Sequence, residues 1–327
     1  MSLFSIRLRQ ARQAAGFSLG TLAERLGRTV TKQSLSRYEK GVMKPKADVL
    51  SALSAALDIS VSYFEGGNMS LDSPMLRTTA HGKLTEDDLA EAEALLAFRA
   101  ERYLKSERLS GMEKRFVRPF HRLEVSCLEE AIQAADCLRK HWHCGDGPIP
   151  SIIRLMERKG IKLIDTPLPE QVMGLSTWAD GEYPLVILDS RPEKTTVERL
   201  RFTASHELGH LLLTFPTGAN VEKLCNQFAS FLLFPRQTFL EELGDLRHRE
   251  LILEELIDLK EQYGVSVAAQ VHEAWDLGLI SRQQYDEWFD ERIKKNITEA
   301  GWGQYNFPET LGKEKRMAAI IKKYQQL

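Results

Sequence analysis

Residues 202–215 read FTASHELGHLLLTF. A helix advances about 100° per residue, so His206 and His210 fall one turn apart on a single face of it. Two neutral imidazoles placed this way can reach one metal ion. Glu207, roughly 100° further round, can contact a water at that ion without being a ligand. A zinc site with three protein ligands leaves a fourth position for water and lowers its pKa toward ~7. A carboxylate that takes the water's proton and passes it to a leaving amine would complete a hydrolytic site, and Glu207 is the residue expected in that role. The competing reading is an apolar helix that carries two histidines by chance. Gly209, at a cost of about 1 kcal/mol relative to Ala inside a helix, makes sense if a neighbouring element approaches closely there.

The flanks bear on the choice. Upstream, MGLSTWADGEYPLVILDS (173–190) predicts two strands joined around Asp180-Gly181. Downstream, VEKLCNQFASFLLFP (221–235) predicts a helix with Leu224, Cys225, Phe228, Phe231 and Leu232 on its apolar face. Glu222 opens that helix and Asn226 follows one turn later, so Glu222 is the expected third ligand and Asn226 the residue that hydrogen-bonds a ligand from behind. The alternative for Glu222 is an acid that only complements the positive end of a helix. Asp189 and Glu198 are the reserve ligand candidates.

Charge divides the chain unevenly. Residues 1–66 hold ten Lys or Arg against five Asp or Glu, a net +5, so a total of -2 leaves -7 on the remainder. A small basic module on an acidic body points to nucleic acid at the N-terminal end. Apolar residues at helical spacing run from Phe4 to Ala15, then through Leu19, Leu22, Ala23 and Leu26. In TKQSLSRYEKG (31–41) Thr31 can cap a third helix and Gly41 can stop it; ADVLSALSAALDIS and VSYF complete a five-helix unit. The third helix carries Lys32, Gln33, Ser36 and Arg37 on one face, side chains suited to base edges in a major groove. Tyr38 and Lys44 lie off that face, as phosphate contacts or packing residues.

The stretches LRQARQAAGFSLGTLAERLG, SLSRYEKG and VLSALSAALDIS, with Lys44-Pro45 between the last two, resemble the Xre/lambda-repressor type helix-turn-helix family over residues 4–65. The resemblance implies double-stranded DNA as a partner. RTVTKQ makes the connection before the third helix longer than in short-turn members.

Residues 67–85 are polar, contain Gly and Pro, and read as a linker. A long helix follows over the connecting segment 86–119, with Thr85 as its N-cap and acids in its first turn. It can pack on the next domain or mate with its copy in a homodimer. Residues 127–168 predict two helices and a strand at IKLID (161–165). Cys137, His141, His143 and Cys144 cluster there without a CxxC or HxxxH pair, which favours packing and surface roles over a second metal site. The four cysteines, Cys225 being the other, suit a reducing compartment better than a disulfide framework.

RFTASHELGHLLL, EKLCNQFASFLLFP and LKEQYGVSVAAQVHEAWDLGLIS are similar to the ImmA/IrrE family of zinc metallopeptidases, over residues 120–285. The resemblance implies a zincin-like fold, His206, His210 and Glu222 as zinc ligands, and Glu207 as catalytic base. Ser205 departs from the family's usual Ala, and HEAWDLGLI from its usual Arg-Leu. His272 could assist as an oxyanion donor, the alternative being a surface or core histidine.

The expectation is therefore an α+β, mostly helical protein. A five-helix lambda-repressor-like domain (1–66) precedes a zincin-like metallopeptidase domain with a small sheet (120–285). A tail (286–327), ending in a basic helix, can dock on the body or contact DNA. No apolar run approaches the ~18 residues of a membrane helix, and the start lacks a signal peptide's apolar core, so a cytoplasmic protein without a membrane partner is expected. The two resemblances together imply a DNA-binding regulator with a zinc-dependent endopeptidase that cuts a partner repressor or its own linker. A regulator or antitoxin whose zinc domain senses a ligand, or binds a partner such as a toxin, is the alternative.

Overall fold

A computed structural model describes residues 2–27, 29–65, 72, 75–78, 86–121, 123–168, 172–244 and 249–324. The basic module folds as α1 (Leu3–Ala14), α2 (Leu19–Arg25), α3 (Lys32–Glu39), α4 (Ala47–Leu57) and α5 (Val61–Glu65). Ser18 and Thr31 cap α2 and α3, each side chain accepting a hydrogen bond from the N–H three residues on. Leu8, Leu22, Leu35 and Leu53 are fully buried at the centre. Arg12 pairs bidentately with Glu39, at 2.6 and 2.9 Å, and fastens α1 to α3.

The long helix α6 (Glu86–Ser110) belongs to two cores at once. Phe98 sits in the helix-turn-helix core, edge-on to Tyr63 with ring centroids 5.9 Å apart. Leu96, Ala100 and Tyr103 pack instead against Ile164, Leu175 and Ile187 of the main sheet. Packing on the next domain is one of the two fates the sequence leaves open to this helix, and the helix does pack there.

That sheet has four strands in the order β1-β4-β5-β3. They are β1 (Met75–Thr78), β3 (Lys162–Asp165), β4 (Val172–Ala179) and β5 (Tyr183–Leu188). β4 runs antiparallel to β1 and to β5, and β3 parallel to β5. The β4–β5 hairpin turns at Asp180-Gly181, both at positive φ, as the sequence predicts. Strand β1 is new: it lies inside the stretch expected to be linker, because its four residues have no alternation of their own and pair by meeting the open edge of β4. Residues 66–71, 73–74 and 79–85, including the expected cap Thr85, lie outside the described residues.

Alternating residues send the sheet's two faces to different partners. Leu163, Val186 and Leu188 join a core with α7 (Leu128–Trp142), α8 (Ile152–Lys159), α9 (Val197–Leu212) and α10 (Val221–Leu233). The opposite face meets α6 and Met317 of the terminal helix α15 (Lys313–Tyr324). A two-residue parallel pair, β2 (Leu123–Glu124) with β6 (Leu213–Thr214), fixes the chain just after α9. Between lie α11 (Arg236–Leu243), α12 (Leu253–Tyr263), α13 (Val267–Asp276) and α14 (Arg282–Trp288).

The tail docks on the body. Glu107 of α6 receives the ammonium groups of both Lys162 and Lys313, all three buried. Glu309 and Arg201 form a fully buried pair 2.5 Å apart. Trp288, Ile293 and Leu311 enter the main core, and a division at 285/286 would cut through α14.

Where α13 meets α10, Glu273 is buried and accepts a hydrogen bond from the Gln227 amide at 3.0 Å. Burial first, and then the charge of Asp276, push its carboxyl up to about 7 against the bonds from Ser230 and Gln227. The folded form thus holds its proton to higher pH than the unfolded chain, so stability falls as pH rises from about 4.5 through 7. Glu273→Gln should raise the melting midpoint at pH 8 by the equivalent of roughly 1–3 kcal/mol and change little at pH 5. An equal shift in thermal melts at both pH values would show that the ionised form is not the source of the cost.

Candidate metal centre

The helix α9 starts at Thr196, whose hydroxyl oxygen accepts the N–H of Arg199, and its residues are buried on nearly every side. His206 and His210 project from one face of it, their Nε2 atoms 3.0 Å apart. From α10, Glu222 reaches both: Oε2 lies 3.3 Å from His206 Nε2 and Oε1 lies 3.3 Å from His210 Nε2. Burial works to raise the Glu222 carboxyl, but the two histidines draw it well below the usual carboxylate range. Asn226 Oδ1 accepts from His206 Nδ1 at 2.8 Å, the tautomer that puts the lone pair on Nε2, the atom a metal ion would take.

Two imidazole nitrogens and a carboxylate, one ligand atom from each and all within 4.8 Å of one another, suit a divalent ion. The two Nε2 atoms lie 3.0 Å apart and each lies 3.3 Å from a different oxygen of the Glu222 carboxylate, near the edge of a tetrahedral shell, about 3.3–3.6 Å for bonds of ~2.0–2.2 Å. Among the described residues this is the group of three or more His, Cys, Asp and Glu side chains that could hold an ion. Cys137, His141, His143 and Cys144 form no such group. Asp189 pairs with Arg191 and Lys194, and Glu198 accepts the N–H of Tyr305, so neither reserve candidate faces the histidines. His272 lies 3.4 Å from Asp276 and edge-on to Trp275 and Tyr285, a structural placement.

Glu207 is fully buried on the sheet side of α9. Its Oε2 accepts the Ser176 hydroxyl of β4 at 2.5 Å. A Cβ on Gly174 would lie 2.9 Å from Glu207 Oε1 and 2.7 Å from Thr203 Cγ2, so only glycine leaves room for the carboxylate. Gly209 serves the other side: a Cβ there would lie 3.1 Å from Phe228 and 3.3 Å from Cys225 Sγ, which brings α10 and its Glu222 close. Ser205 returns its hydroxyl to the Arg201 carbonyl within the helix. Ser176 and Gly174 were not anticipated. A glycine inside a strand does signal a close neighbour, though not which one.

In the N-terminal module Lys32, Gln33 and Arg37 are exposed on α3, with Ser36 half-buried beside them. Tyr38 is buried edge-on to Phe4, a packing role, and Lys44 is exposed.

Two family models match the chain. Residues 8–64 match helix-turn-helix, and residues 156–274 match the IrrE N-terminal-like domain, a peptidase family. No curated protein and no solved structure matches. The chain is a fusion of an Xre-like helix-turn-helix with an IrrE-like, peptidase-type domain. Among the described residues no helix is long and apolar enough to cross a membrane.

Proposed function

We propose that this fusion is a DNA-binding transcriptional regulator whose second domain is a zinc-dependent endopeptidase, acting on a partner repressor or on its own chain. One observation carries the reading: His206, His210 and Glu222 converge on one point while Glu207, the next residue on α9, is held by Ser176 beside it. A purely structural metal site would have no use for that fourth, separately positioned carboxylate.

In this reading His206, His210 and Glu222 hold the zinc, and Asn226 keeps the His206 ring in orientation. The ion would supply Lewis-acid polarisation of the peptide carbonyl and a lowered pKa for the attacking water. Glu207 takes a proton from that water as its oxygen bonds to the carbonyl carbon. It then delivers the proton to the amide nitrogen as the C–N bond breaks, giving one carboxylic acid and one amine. The hydroxyl of Ser176 and the space left by Gly174 keep the carboxylate aimed through both transfers. On α3, Lys32, Gln33, Ser36 and Arg37 read the DNA, which holds the peptidase at a promoter.

The test is chelation. Zinc-loaded protein, alone and mixed with a candidate partner repressor, should produce fragments on a gel that disappear with a chelator and return with zinc. His206→Ala should lower bound zinc from about one ion per chain to well under a tenth and abolish the fragments. If neither protein is cut in any metal-loaded sample, the peptidase reading falls.

A further inference from the structure

We propose that strand β1 is an intramolecular stand-in for the substrate: Met75–Thr78 occupies the edge of β4 on which an extended peptide must pair to reach Glu207. This rests on the peptidase reading above and adds the substrate's conformation and the reason the site would be held in check.

Glu207 is wedged between α9 and β4, touching Ser176 and lying over Gly174. A peptide bond brought to it has to run past those two residues. Extended peptides commonly bind by adding a strand to an open sheet edge, where main-chain groups supply the bonds. One edge of β4 is taken by β5, paired continuously from Gly174 to Ala179. The other edge is held by β1, antiparallel, with Met75 opposite Ser176 and Arg77 opposite Gly174. The β1 backbone also runs near α9, the helix that carries both histidines. The chain's own backbone thus passes the two β4 residues that position the base, in the place an incoming strand would take.

β1 is suited to leaving. It has four residues, its register slips between Arg77 and Thr78, and it forms the outer edge of the sheet. A backbone hydrogen bond exchanged with water contributes little net stability, and irregular edge strands belong to the parts of a fold that open first. The partner is therefore an extended, unfolded peptide segment that displaces β1, rather than a folded surface.

The test uses the full chain with Leu76→Pro and Arg77→Pro, which remove backbone donors from β1 without touching the metal residues. Hydrogen exchange reads the amides of residues 174–178, and fluorescein-labelled casein reads cleavage. We expect faster exchange in β4, unchanged exchange in β5, and at least a tenfold gain in casein cleavage over the unaltered protein. If β5 also opens, Arg77→Pro alone takes the place of the pair. Unchanged β4 exchange overturns the proposal, as does equal casein cleavage once β4 has opened. A cut within Met75–Thr78 of the unaltered protein overturns it too, since the strand is then the substrate. If β4 opens and no zinc-loaded form cuts casein or itself, the peptidase reading fails, and the occlusion of a catalytic groove fails with it.

Discussion

Glu207→Gln is expected to leave the fold and the zinc content intact and to slow peptide-bond cleavage by roughly 10³-fold, within the 10²–10⁴ range attributed to a positioned general base. The substitution preserves shape, so the pocket between Gly174 and Thr203 stays filled, and the amide oxygen can still accept the Ser176 hydroxyl. What the amide cannot do is take a proton from water and hand it on. The three residues that face one another across the ion position, His206, His210 and Glu222, are untouched. The measurement is kcat on one substrate, with metal content determined on the same samples. A kcat within tenfold of the unaltered protein, at equal zinc occupancy, would remove Glu207 from the role of base.

The second large effect concerns stability. Arg201 is fully buried on α9, five residues before His206. Its Nη1 pairs with Glu309, its Nη2 donates to the carbonyls of Ile149 and Tyr263, and its guanidinium lies 4.1 Å from the centre of the Tyr305 ring. Glu309 in turn accepts the Ser151 hydroxyl and the N–H groups of Ile152 and Ile153, so the same carboxylate closes the first turn of α8. Removing one member leaves a charge stranded in the interior, and Arg201→Ala or Glu309→Ala should each cost about 3–5 kcal/mol. Arg201→Met combined with Glu309→Met should cost clearly less than the sum of the two single Met substitutions, because no charge is then stranded. Denaturant midpoints of the four proteins in that cycle would measure this, and strict additivity would contradict a coupled pair.

The cluster of His206, His210 and Glu222 was legible because its information is local. His206 and His210 are one turn apart, Glu222 and Asn226 are one turn apart, and Gly209 marks where the two helices touch. The helix-turn-helix was legible for a similar reason, since caps such as Thr31 act over three residues. What escaped was set by distant partners. Met75–Thr78 carries no strand pattern, and its pairing depends on residues about a hundred positions later. Ser176 gains its role only when folding brings β4 under α9. The docking of the tail rests on Arg201 with Glu309 and on Glu107 with Lys313, pairs separated by 108 and 206 residues, where no periodicity can reach.

Helix α6 has Phe98 in one core and Tyr103 in the other, five positions along the same rod. The two modules therefore share a thermodynamic account of their folding: neither core is complete once that helix leaves it. Whatever free energy DNA contributes by binding the helix-turn-helix also weighs against unfolding of α6, and so against its loss from the sheet. By the same linkage, whatever stabilises that sheet with α6 in place strengthens the helix-turn-helix, to an equal extent and in both directions.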